Sequence, residues 1–154
     1  MIRRLLSFDF LKPYAEYGPL FLRLLVGAEL IRGTQDNVFS YARMVEFAEF
    51  LDKNGFPFPL PGAFVSAYAQ FLCGILFILG LWTRQAGAVM AVNFIFALLI
   101  AHRDTPWQAD YPAYVMLASA LFFLFHGAGR LSVDERLERS RQRGTASPPW
   151  SSTR

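Results

Sequence analysis

The sequence predicts an all-α protein: an integral membrane four-helix bundle with a short periplasmic amphipathic helix between spans one and two. Three observations predict it. Residues 63–82 (AFVSAYAQFLCGILFILGLW) carry no charged side chain, and only Ser66 and Gln70 are strongly polar. At about 1.5 Å per residue, such a helix crosses a hydrocarbon core of roughly 30 Å. A second apolar run, residues 86–101, follows directly on Thr83-Arg84-Gln85, so the two form a helical hairpin. Charges concentrate outside these runs, in residues 1–16, 29–53, 103–110 and 130–154. A helix apolar on nearly every face is buried in a large core or in lipid, and 154 residues offer little core.

Composition narrows the class. The chain is 54% hydrophobic with 16 phenylalanines, and its mean hydropathy is +0.29. The net charge of +3 comes mainly from arginines near the expected membrane edges, not from a nucleic-acid face. The single cysteine, Cys73, excludes an intramolecular disulfide and a CxxC redox motif. No hydrolase triad, phosphate-binding loop or zinc-ligand spacing is present. The N-terminus (MIRRLLSFDFLKP) lacks a long apolar stretch and a small-x-small site, which argues against a cleaved signal peptide.

In chain order, residues 1–13 read as a basic interfacial segment with Phe8, Phe10 and Leu11 dipping into headgroups. The first span covers about residues 14–32 and is broken by Gly33, Thr34, Asp36 and Asn37. Residues 40–54 form an amphipathic helix with Tyr41, Met44, Val45, Ala48 and Leu51 on one stripe, Ser40 as N-cap and Gly55 as stop. Pro57, Pro59 and Pro61 then make a stiff extended approach to the second span. The spans at 63–82 and 85–101 are the hairpin. Residues 102–110 make a polar loop with Trp107 at interface depth, and the fourth span covers 110–126 with Pro112 able to open it. Ser132 and Glu135 have capping-box spacing. Residues 1–137 thus form the membrane domain, and 138–154 a charged, Ser/Pro-rich tail expected to be disordered. The basic N-terminus, Arg84 and the arginines after Arg130 share one face, while Asp36, Glu46, Glu49 and Asp52 lie on the other. By the positive-inside rule both termini are cytoplasmic, in a multi-pass inner-membrane protein.

Several stretches carry a resemblance. Residues 22–33 (LRLLVGAELIRG) resemble the first-helix signature of the DoxX family of small bacterial membrane proteins. Residues 55–91 are similar to its proline-bearing approach, second helix and Gly-Leu-x-Thr-Arg turn. Residues 127–137 (GAGRLSVDERL) resemble its closing Gly-x-Gly-Arg-x-Ser-x-Asp motif. The family often has a His-Gly pair with a following Lys after the first helix, where this chain has Arg32-Gly33 and Asp36. It often has Glu near the position of Gln70. The resemblance implies a four-helix membrane bundle and an association with thiosulfate:quinone oxidoreduction. Two functions follow: a redox-associated, quinone-linked membrane subunit, or a non-catalytic scaffold that binds a partner. If the chain takes part in catalysis, it does so as an accessory subunit of a membrane oxidoreductase. No cofactor ligands are evident, and quinone is the cofactor the resemblance allows. The expected partners are the lipid bilayer, a soluble or membrane redox protein, and further copies of the chain in a homo-oligomer, not nucleic acid.

The candidate ligand-binding residues are Arg23, Gln70 and Asn93, polar groups inside apolar spans that together read as a pocket near the midplane for a quinone-like or other small ligand. The structural alternative is hydrogen bonding between helices. Glu29 and Arg32, three apart, read as an interfacial ion pair. His102 and His126 close antiparallel spans and therefore stand roughly 25–30 Å apart, too far to share one haem. Ser119 and His126 lie on one stripe. Gly27, Gly74, Gly80 and Gly87, with Ala67 and Ala91, read as close-packing positions. No catalytic residue and no metal ligand set is identified.

Overall fold

The structure, a computed structural model, describes residues 8–101 and 107–145. These form six α-helices and no strand. The helices are α1 (Tyr17–Phe39), α2 (Tyr41–Lys53), α3 (Pro59–Leu79), α4 (Thr83–Phe96), α5 (Trp107–His126) and α6 (Val133–Thr145). A short 3-10 turn, Asp9–Tyr14, precedes them, and α4 continues as a π-helical turn, Ala97–Ala101. Phe8, Phe10 and Leu11 stand exposed around that first turn.

Two pairings build the bundle: α1 lies along α3, and α4 along α5, with α3 against α4 joining them. Small residues set the first seam. A Cβ on Gly27 would fall 2.7 Å from the Gly74 carbonyl oxygen, and one on Gly74 would fall 2.8 Å from that of Gly27. Only hydrogen fits at either position, so the two backbones touch. Gly87 meets the backbone of Ala120 and Leu124 on α5 in the same way. The core between the four helices is Val26, Leu30, Cys73, Phe77, Met90, Phe94 and Phe123 with alanines between. Phe77 and Phe123 rings lie 4.6 Å apart at its centre. A second cluster sits under α2, where Met44, Ala48 and Leu51 pack on Ala63 and Ala67 of α3.

The expected amphipathic helix is α2, but Tyr41 on its stripe is exposed. Ser40 precedes it without a side-chain cap bond, and Gly55 follows at φ 77°. The first span is longer than expected. α1 passes through Gly33, Thr34, Asp36 and Asn37 to Phe39. Gly costs roughly 1 kcal/mol in a helix, which tertiary contact overrides: Leu30 and Thr34 are buried, and Phe39 meets Phe71 edge-on at 5.7 Å. The Thr34 hydroxyl donates to the Leu30 carbonyl at 2.6 Å, so it is satisfied within the helix. The prolines at 59 and 61 also depart from expectation. They occupy the first turn of α3, where the missing N–H would have had no partner and the fixed φ suits the helix. α5 starts at Trp107, so Pro112 lies inside it. α6 runs to Thr145, so residues 138–145 are helix instead of the expected disordered tail; residues 146–154 lie outside the described residues.

Among the described residues, two helices are long and apolar enough to cross a membrane: Pro59–Leu79 and Thr83–Ile100. Of the other two expected spans, α5 offers a shorter apolar stretch, Tyr111–His126, and α1 carries Arg23, Glu29, Arg32 and Asp36. Only 28% of the apolar stretch of α3 is buried inside the protein, which is not how the core helix of a water-soluble domain sits. Phe21, Leu25, Val65, Leu72, Leu99 and Phe125 stand outward around the bundle, each more than half exposed.

Candidate functional site

The polar residues separate along the bundle. Arg23 goes to one end, while Gln70 and Asn93 lie about midway along α3 and α4 and line a cavity that extends to the other. A first span at 14–32 places Arg23 near its middle. With α1 starting at Tyr17, it lies in the second turn, close to the α3–α4 turn.

That turn is tight. α3 ends in a Schellman arrangement: Gly80 has φ 66°, the Leu81 N–H donates to the Leu76 carbonyl at 3.0 Å, and the Gly80 N–H to that of Phe77 at 3.1 Å. Trp82 follows with φ 48°, unusual for a residue with a Cβ. The first turn of α6 holds it. Asp134 accepts from the Trp82 N–H at 2.8 Å and the Thr83 N–H at 3.0 Å, and donates its own N–H to the Gly80 carbonyl at 3.0 Å. A carboxylate on the exposed N–H groups of α4 is favoured by hydrogen bonding and by the helix dipole; here it comes from a residue 51 positions later. The buried Arg23 guanidinium lies against Gly80 and donates from Nη2 to the Leu131 carbonyl at 2.6 Å. Its Nε and Nη1, and the Thr83 hydroxyl, are buried with no partner among the described residues. Ser132 donates to the Gly129 carbonyl at 2.6 Å and accepts from the Glu135 N–H at 3.2 Å, which is the N-capping half of the expected capping box. Glu16 accepts from the Arg130 N–H at 3.1 Å.

The other end is open and apolar. A cavity of about 480 Å³ lies beneath α2, between α3 and α4. Phe47, Phe50 and Phe56 form its roof, Gln70 and Asn93 face it from α3 and α4, and Ala97 of the π turn completes one wall. π turns recur at functional sites because they turn side chains out of helical register. The Gln70 Nε2 donates to the Ser66 hydroxyl at 3.0 Å. No hydrogen bond to the Asn93 amide is present among the described residues.

Gln70 and Asn93 are therefore neighbours around one cavity and Arg23 belongs elsewhere. Glu29 and Arg32 are both exposed on α1 and no ion pair joins them among the described residues. Ser119 is buried and donates back to the Val115 carbonyl at 2.8 Å, while His126 is exposed and stacks on Phe122 at 4.9 Å. His102 lies outside the described residues. No group of three or more His, Cys, Asp or Glu side chains is placed to hold a metal among the described residues. The aromatic roof was missed in the sequence, although Phe47 and Phe50 flank the apolar stripe of α2 and offered a signal.

The three stretches that suggested a family relationship thus meet at one point, the α3–α4 turn with Arg23 beneath it and residues 129–134 across it. The DoxX family model matches residues 18–103. The chain belongs to the DoxX family. A second model, described as the TQO small subunit DoxD, matches residues 62–147. The two overlap on the α3–α4 hairpin. Arg23 falls only in the DoxX match and Asp134 only in the DoxD match, and the structure brings the two regions together through Leu131 and Gly80. A protein of Haemophilus influenzae named "Uncharacterized protein" is 29% identical over 134 residues, covering 82% of this chain and 95% of its own length. No solved structure matches. DoxX proteins are membrane-associated, which accounts for the apolar exterior of α3 and α4.

Proposed function

We propose that this DoxX protein is a multi-pass inner-membrane subunit that serves a redox partner by holding a quinone-like ligand beneath α2. The cavity carries the reading. Ligand sites are typically concave, about 300–1,000 Å³, mainly apolar, with a few polar groups that orient the ligand. A space of about 480 Å³ lined by phenylalanines with two amides fits a flat, lipid-soluble ring bearing oxygen atoms. The DoxD match adds support, since that family is the TQO small subunit and so a component of a quinol oxidoreductase complex. In this reading α1, α3, α4 and α5 all span the bilayer, both termini are cytoplasmic and α2 lies on the periplasmic face. The arginines of α6 and Arg84 on the inner side support that orientation.

Purification from native membranes followed by mass spectrometry of co-eluting lipids and proteins tests the reading. A quinone retained by wild type and lost in Asn93→Leu is the expected result. Protein partners without any quinone would replace it with a scaffold. Reporter fusions after Arg84 and after Arg139 are expected to read cytoplasm, and one near Asp52 periplasm.

A further inference from the structure

The cavity beneath α2 has a hydrogen-bonding pattern that distinguishes two forms of its ligand. Gln70 and Asn93 are both amides, and each amide is a donor and an acceptor at once. The Gln70 Nε2 is tied to the Ser66 hydroxyl one turn earlier, which restrains the amide and leaves its Oε1 as an acceptor with no partner among the described residues. The Asn93 amide has neither its donor nor its acceptor engaged among the described residues. The rest of the described lining is apolar and holds no ionisable group. A ligand that only accepts, such as a ring with two carbonyls, meets the amide N–H groups but leaves both amide oxygens unpaired. A ring with hydroxyls pairs with the oxygens and still accepts from the N–H groups.

We infer that this cavity selects the reduced, hydroxyl-bearing form of its ring ligand over the oxidised, carbonyl form, with Gln70 and Asn93 as the contacts and Ser66 as the residue that positions Gln70. The inference rests on the quinone-like reading of the cavity. It goes further by assigning the site a preference between the two halves of a redox couple. Burying an unpaired acceptor is unfavourable while a matched one is not, and two such acceptors set an expected preference of roughly tenfold. By linkage, tighter binding of the reduced form raises the potential of the bound couple, by about 30 mV per tenfold for two electrons. The site then acts as a holder of reducing equivalents.

The test uses the full-length protein in phosphatidylcholine nanodiscs under anaerobic conditions. Binding of decylubiquinol and of decylubiquinone is measured by equilibrium dialysis. The expected result is about tenfold tighter binding of the quinol. Asn93→Leu and Gln70→Leu are each expected to remove most of that preference. Ser66→Ala, which deletes one hydroxyl and leaves the helix intact, is expected to narrow the preference while both forms still bind. Equal affinities in wild type, or tighter binding of the quinone, would overturn the selection and leave the ligand reading standing. Absence of binding by either form would overturn the ligand reading and the selection with it.

Discussion

The two ends of the bundle use polar groups in opposite ways. At the α6 end, Arg23, Asp134 and Ser132 each bond to the backbone of residues 80–83 or 129–134, although two N–H groups of Arg23 and the Thr83 hydroxyl have no partner among the described residues. Toward the α2 end, two amides face an apolar cavity, and the one bond between them and the described residues is that of Gln70 to Ser66. A polar side chain that bonds to distant backbone ties segments of the bundle together, whereas one that faces a cavity marks where something else can be bound. The same residue types in the same kind of helix carry different meanings according to what completes them.

Substitution is the way to break this contrast. The largest effect is expected for Gly80→Val. A β-branched residue at φ 66° is strained, and its Cβ would occupy the space of the Arg23 guanidinium. A loss of about 3 kcal/mol or more is expected, read as a collapse of folded yield in detergent. Asp134→Ala comes next: it uncaps α4 at Trp82 and Thr83 and removes the carboxylate whose field acts on Arg23. A cost of about 2 kcal/mol is expected, seen as a lower thermal unfolding midpoint. Arg23→Leu is milder, about 1 kcal/mol, because losing the bond to the Leu131 carbonyl is partly offset by removing two buried N–H groups that have no partner. The smallest effect is expected for Asn93→Leu at the opposite end. Exchanging an unpaired amide for an apolar side chain of similar size should shift stability by less than about 0.5 kcal/mol in either direction. A large loss there would show that Asn93 is part of the structural framework, and the contrast between the ends would fail.

Much of this architecture is legible in the sequence. The α3–α4 hairpin follows from two apolar runs, α2 from the Met44, Ala48 and Leu51 stripe, and the start of α6 from Ser132 and Glu135. Gly27 and Gly74 signal close packing, although nothing local says that each faces the other. The extent of α1 is harder to read, because Gly33 and Asp36 argue for an end that packing against α3 overrides. The partner of Arg23 is harder still. It is a main-chain carbonyl 108 positions away, and any residue could have supplied it. Pairing Arg23 with Gln70 and Asn93 assumed that a side chain must answer a side chain. Gln70 and Asn93 do share a cavity, since they sit on adjacent antiparallel helices at matching depth, but the phenylalanines above them come from a helix outside the four expected spans.

The dependence of the α3–α4 turn on Asp134 has a consequence for synthesis. The hairpin leaves the ribosome before residue 134, so the first N–H groups of α4 are made without their cap. Arg23, made earlier still, waits with them for the Leu131 carbonyl. The segment 129–134 is thus made after every apolar helix, and its contacts with the turn can form only once α5 is complete. A chain stopped short of Leu131 would contain every apolar stretch and still lack both the acceptor of Arg23 and the cap of α4.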